Sequence, residues 1–225
     1  MRYPAISIQS QPDNRIAIGR RNAYHQAGHA AAIYLGNKQK QLPVVFFQIV
    51  VMPHEQTGQP DERLTQSFSQ YHVKVEGGQL IQSLPLEHAE EMPVYSLSQQ
   101  AWYRRAFEAD VINLLVGSLA EAKYVAERDG EIFNAQLIRM DALRFYGGSS
   151  DLSVINDYLA FFLPDKKKRD QKLSELFLSA YRFVNQPSHW NAINTLAAFI
   201  LNTPAPDGFI SCEAIMSVLE FHLAA

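Results

Sequence analysis

Ala23-Tyr24-His25-Gln26-Ala27-Gly28-His29-Ala30 lies in an alanine-rich stretch, residues 15–35, whose apolar positions Ile16, Tyr24, Ala31 and Leu35 suit a helix. Gly36-Asn37 marks the expected C-terminal stop of that helix. Residues four apart on a helix share a face, so His25 and His29 can present ring nitrogens to one ion at the ~2.0 Å that zinc requires. The spacing permits a metal without requiring one. With 7 histidines in 225 residues, a pair at this spacing arises by chance about 0.2 times per chain.

Working outward, Val44-Val45-Phe46-Phe47-Gln48-Ile49-Val50-Val51 is short, β-branched and aromatic, and reads as a buried strand ended by Pro53. Tyr71-His72-Val73-Lys74-Val75-Glu76 alternates and meets Gly77-Gly78, so it reads as a second, half-exposed strand. A long helix is expected over 97–128, where Trp102, Ala106, Ala109, Ile112, Val116 and Leu119 recur at spacings of three and four before Gly130. Another should begin at Ser149-Ser150-Asp151, whose side chains can cap free backbone amides, and run to Phe162 before Pro164. Further helices follow. Asp165-Lys166-Lys167-Lys168-Arg169-Asp170 reads as the solvated start of one of them. Phe161, Phe162, Phe177, Tyr181 and Phe183 suggest a well-filled helical layer, and Trp102 and Trp190 belong to core or interface. The pattern as a whole predicts one domain over residues 1–225, mainly α with a small β-sheet, with residues 1–14 irregular.

Composition narrows the partners. A hydrophobic share of 47% over 225 residues supports one sizeable core, and a net charge of −3 gives no electrostatic reason to expect nucleic acid or an anionic membrane. The lone Cys212 excludes an internal disulfide framework, and no stretch has the length or apolarity of a signal peptide or membrane helix. The expectation is a cytoplasmic chain without membrane insertion.

The residue after the first histidine decides what chemistry is available. A zincin helix reads His-Glu-x-x-His, and its glutamate takes a proton from the attacking water and passes it to the leaving amine. Gln26 stands at that position. Its amide is nearly isosteric with a carboxylate but has no basic pKa, so it cannot act as general base.

Residues 23–30 resemble the Ala-Tyr-His-Glu-Ala-Gly-His-Ala helix of the FtsH family of ATP-dependent zinc proteases, departing only at Gln26. Further matches follow in the family's order. Val50-Val51-Met52-Pro53 is similar to its strand ending in proline, and Val116-Gly117-Ser118-Leu119-Ala120-Glu121 resembles its Gly-Gly-Arg-x-Ala-Glu helix. Tyr146-Gly147-Gly148-Ser149-Ser150-Asp151-Leu152 is similar to Thr-Gly-Ala-Ser-Asn-Asp-Leu, whose aspartate is the third zinc ligand. Leu196-Ala197-Ala198-Phe199-Ile200-Leu201, with Asp207-Gly208 and Glu213, resembles the closing helix pair. By itself Asp151 would read as an acid favouring a helix N-terminus, worth ~0.3–1 kcal/mol.

The resemblance implies an FtsH peptidase-like helical domain holding Zn2+ through His25, His29 and Asp151, with a fourth position open. With Gln26 in place of the base, it implies a pseudopeptidase that binds a peptide or protein, a full-length FtsH-type protease being one candidate partner. Two alternatives stand beside it: an active zinc peptidase using Glu55 or His54 as base, and a metal-free helical interaction domain. The chain departs from the family in having no Walker sequence, ATPase module or membrane helix before the peptidase-like part, so no ATP is expected. It also has a longer segment between Gly130 and Asp151, and His54-Glu55 in place of the arginine-glycine that follows the strand. His72, His88, His189 and His222 have no partner at ligand spacing and read as ordinary histidines.

Overall fold

The histidine-bearing stretch forms helix α1 (Arg20–Ala31), and its buried residues Ala23, His25, Gln26, Ala27, Gly28, His29, Ala30 and Ala31 run round the whole circumference. A helix buried on every side belongs inside, and its alanines and Gly28 let neighbouring helices approach while His25, Gln26 and His29 need polar partners there. A computed structural model describes residues 18–53, 71–81, 97–203 and 208–221. The helix starts at Arg20 rather than at residue 15, because Gly19 is its extended N-cap (ψ 130°) and Ile18 bridges Tyr71; residues 15–17 lie outside the described residues.

Gly36-Asn37 does not stop the helix. The chain passes through a π-helical turn, Ala32–Gly36, and a last short turn, α2 (Asn37–Gln39). It ends one turn later, where Gln41 takes φ 53° and the amides of Gln41 and Leu42 donate back to the carbonyls of Lys38 (3.1 Å) and Asn37 (2.9 Å). Asn113 supports the π turn: with its amide nitrogen turned toward it, the side chain donates to the carbonyls of Ala32 (3.1 Å) and Ala109 (3.2 Å).

Three antiparallel strands, β1 (Phe47–Pro53), β2 (Tyr71–Gly77) and β3 (Phe209–Ile210), form a sheet in the order β2-β1-β3. Ile49 stands opposite Val75 on one side and Ile210 on the other. β1 begins at Phe47 rather than Val44 because Gly77 and Gly78, at φ 81° and 85°, turn the partner strand away and leave Val44 and Phe46 exposed. It extends to Pro53 because Tyr71 and His72 still pair with Pro53 and Met52.

The long helix α3 (Leu97–Asp129) forms as expected and packs along α1. Gly28 is the point of closest approach. A Cβ there would lie 2.7 Å from Ala120 Cβ and 2.9 Å from the Val116 carbonyl oxygen. The other helices are α4 (Ser149–Phe162), α5 (Lys166–Asn185), α6 (Pro187–Asn202) and α7 (Cys212–Glu220). Asp165 caps α5 by accepting from the Lys168 amide (2.8 Å), and the exposed pair Lys166–Asp170 (2.8 Å) fits the solvated face read from the charge run. Pro187 opens α6 at the first position, where its missing N–H costs nothing. The aromatic layer is filled as expected: Phe162 stacks on Phe107 at 4.7 Å, Tyr181 on Phe133 at 5.2 Å, and Phe177 and Phe183 are buried. Trp190 is buried with its indole N–H on Glu127 (3.2 Å), while Trp102 is half-buried against the core.

Two glycine substitutions in this helical stretch should differ in sign. Gly28→Ala should destabilise by about 1–3 kcal/mol, because Ala120 and the Val116 backbone cannot yield easily. Gly36→Ala should stabilise by about 0.5–1 kcal/mol, because its helical φ of −66° and a nearest contact of 3.6 Å to Phe183 accept a methyl group. Urea unfolding midpoints of the two variants check both.

Candidate metal centre

α1 places His25 and His29 one turn apart, with His25 Nε2 2.9 Å from His29 Nε2. The N-terminal end of α4 brings Asp151 Oδ2 to 3.2 Å from His25 Nε2 and 3.4 Å from His29 Nε2. Two ligands on a tetrahedral ion with bonds of ~2.0–2.1 Å stand about 3.3 Å apart, so the three separations suit a shared centre. Among the described residues these three form the group that could hold a metal ion. The carboxylate does not cap α4 as expected. The cap position is Gly148, with no side-chain hydrogen bond, and Asp151 turns inward to the imidazoles instead.

Each histidine is fixed from behind. His29 Nδ1 donates to the Asn113 carbonyl (2.9 Å), which leaves Nε2 as the nitrogen facing His25 and Asp151. His25 Nδ1 lies 3.0 Å from the Tyr146 carbonyl and 3.2 Å from Glu121 Oε2. Glu121, itself buried, is held through Oε1 by Arg21 Nε at 2.7 Å, and Arg21 also bonds the Phe145 carbonyl. Two glycines make room for the rings. A Cβ at Gly117 would stand 2.4 Å from the His29 ring, and one at Gly147, where φ is 71°, would stand 2.8 Å from His25 Nδ1.

The electrostatics follow from this burial. Loss of solvent works against a charge on His25, but hydrogen bonds to Asp151 and Glu121 outweigh it and raise its pKa to about 9. Burial likewise opposes the Asp151 charge, yet the charge of His29 and the hydrogen bonds from both imidazoles hold its carboxyl well below the usual carboxylate range. A carboxylate beside two imidazoles, with its proton displaced, is a donor set that a dication can replace a proton in.

The site opens on a cavity of about 590 Å³ between α1, β2 and the start of α4, also lined by Gln26, His72, Val75 and Asp110. Gln26 is 8% exposed, and its Oε1 accepts from the Val75 amide at 2.7 Å. His54 and Glu55, the alternative bases, lie outside the described residues, as do His88 and His222. His189 is a satisfied core histidine, with Nδ1 on the Phe183 carbonyl (3.1 Å) and Nε2 on Gln39 (2.7 Å). Sequence reasoning assigned no role to Glu121, Asn113 or Asp110. The available signal was their polarity inside the otherwise apolar run 109–122 of α3. Asp110 accepts from the Leu80 and Ile81 amides (both 2.9 Å), fixing the chain beyond β2 at the cavity wall.

Divalent metal content of the purified protein should be one ion per chain, falling below a tenth of that in His25→Ala and Asp151→Ala. Glu121→Gln should keep the ion but bind it about 10–100-fold more weakly, as loss of a ligand's outer partner does, measured by competition with a chelator. Asp110 gives a pH signature. Desolvation lifts its pKa from 3.8 to about 6 against the two backbone hydrogen bonds, so the folded chain holds this proton more tightly than the unfolded one. Its contribution is complete below pH 3.8 and is lost as pH rises through 6, about 3 kcal/mol in all. Asp110→Asn should flatten that part of the stability curve, read from urea midpoints between pH 4 and 7. Compared with protein families, curated proteins and solved structures, the chain gives no match, so what the centre does rests on its own geometry.

Proposed function

We propose that this chain is a zinc-binding domain of FtsH peptidase type that has lost efficient peptide cleavage and acts by binding a peptide or protein segment beside the metal centre. The observation that carries the reading is the convergence of His25 Nε2, His29 Nε2 and Asp151 Oδ2, at 2.9–3.4 Å from one another, on the wall of a cavity of about 590 Å³. Two imidazoles and one carboxylate leave a fourth position, the ligand count of catalytic rather than structural zinc. When bound, zinc supplies a Lewis acid that polarises an oxygen placed at that position.

The chain's own residues account for the rest. Glu121, Tyr146 and Asn113 hold the imidazoles so that both Nε2 atoms face one point. Gln26 has an amide where a proton acceptor is needed, and its carbonyl oxygen is already engaged by the Val75 amide. Neither property suits proton transfer. Kinship with the FtsH family makes a full-length protease of that type one partner to try, by analogy alone. Among the described residues no helix is long and apolar enough to cross a membrane.

A second reading has one observation in its favour. The 2.9 Å separation of the two Nε2 atoms also fits a hydrogen bond between one protonated and one neutral imidazole, with Asp151 balancing the charge, which is the metal-free domain. Cleavage of fluorescein-labelled casein, with zinc and after chelation, separates the readings when run beside metal analysis. The wild type should hold zinc and show no zinc-dependent cleavage, and such cleavage should appear only in Gln26→Glu. Zinc-dependent cleavage by the wild type would contradict the loss of catalysis, and a wild type without zinc would favour the second reading.

A further inference from the structure

A second cavity, of about 490 Å³, lies between α3, the end of α4 and the first half of α5, and none of the residues that line it also lines the metal cavity. Along α3 it borders Tyr103 and Arg104, Phe107 and Glu108, about 13 Å of helix before the Gly117 that meets the His29 ring. Its lining is aromatic: Phe107 and Phe162 stack at 4.7 Å, and Tyr103 and Leu163 belong to the same wall. The turn from α4 into α5 is held in place, because Arg169 donates to the carbonyls of Leu163 (3.1 Å) and Pro164 (2.7 Å).

The charges on the walls do not balance. Lys172 serves two carboxylates at once, Glu108 at 3.1 Å and Glu175 at 2.9 Å, and Gln171 also donates to Glu175 (3.1 Å). Arg104 on α3 and Lys168 on α5 line the same cavity, are exposed, and have no side-chain partner among the described residues. Lys168 shares a face of α5 with Gln171, Lys172 and Glu175, at helical spacings, whereas its neighbour Lys166 pairs with Asp170. Two unpaired cations, one from each wall, therefore stand over an aromatic lining. A flat ring stacks on such a lining, and a guanidinium with an ammonium offers charge-assisted hydrogen bonds to a carboxylate. The volume falls in the range of pockets that bury a small ligand.

We propose that this cavity binds a small aromatic carboxylate, its ring against Phe107, Phe162 and Tyr103 and its carboxylate between Arg104 and Lys168. The site needs neither the metal centre nor the function proposed for it.

Titration of the full nitrogen-15-labelled chain with 1-naphthoate at pH 7, followed through the backbone amide signals, tests the proposal. Saturable shifts are expected at Phe107, Glu108, Leu163 and Lys172, and they should be the same after chelation of metal. The double variant Arg104→Gln/Lys168→Gln alters two exposed side chains and should bind the probe about tenfold more weakly, the loss expected for hydrogen bonds to a charged group. On the wild type, neutral 1-naphthamide should also bind about tenfold more weakly than 1-naphthoate. No saturable shift at those residues overturns the site, as do shifts confined to the surroundings of His25 and His29. Equal binding by the double variant, or equal binding of naphthamide and naphthoate by the wild type, overturns the assignment of an anionic ligand.

Discussion

Two imidazoles buried side by side require every ring nitrogen to find a partner, and much of the structure around α1 answers that requirement. Burying an unsatisfied polar nitrogen costs about 1–3 kcal/mol, and burying a charged ring without a counter-charge costs more. α3 supplies a carbonyl for His29 and the Glu121 carboxylate for His25, the turn before α4 supplies the Tyr146 carbonyl, and α4 itself supplies Asp151. Those partners reach the rings only because α1 and α3 are lined with alanine and glycine where they meet. A side chain at Gly117 would collide with the His29 ring, and one at Gly147 with the His25 ring. Small residues at the interface and polar residues in the helices are thus two sides of one constraint.

Much of this was legible in the sequence because it is local. Periodicity located α3, a cap signal and a following proline located α4, alternation and the double glycine located β2, and four-residue spacing put both histidines on one face of α1. What stayed hidden depends on tertiary approach. Ser149-Ser150-Asp151 carries a helix-start signal, but whether Asp151 caps its helix or turns to a distant imidazole depends on where α1 lies. Backbone carbonyls such as those of Asn113 and Tyr146 have no residue-type signature at all. Glu121 was visible as a charge within an apolar run, without any indication of what it would face. The start of β1 was misplaced for the same reason: Val44 and Phe46 have strand-forming side chains but no neighbouring strand to pair with.

Gln26 joins the two halves of the account. Read as chemistry, its amide has no basic pKa and cannot itself move a proton. Seen in place, its carbonyl oxygen bonds the Val75 amide while Asn22 bonds Val73, so the same helix that carries the histidines is tied to β2.

The central claim is that His25, His29 and Asp151 act together on one zinc ion. X-ray absorption at the zinc edge, on protein loaded with one equivalent, tests it most directly. The account predicts two imidazole nitrogens and carboxylate oxygen at ~2.0–2.2 Å in a four-coordinate shell, with one imidazole lost in His29→Ala. An oxygen-only shell, or a wild-type spectrum unchanged by His29→Ala, would contradict it.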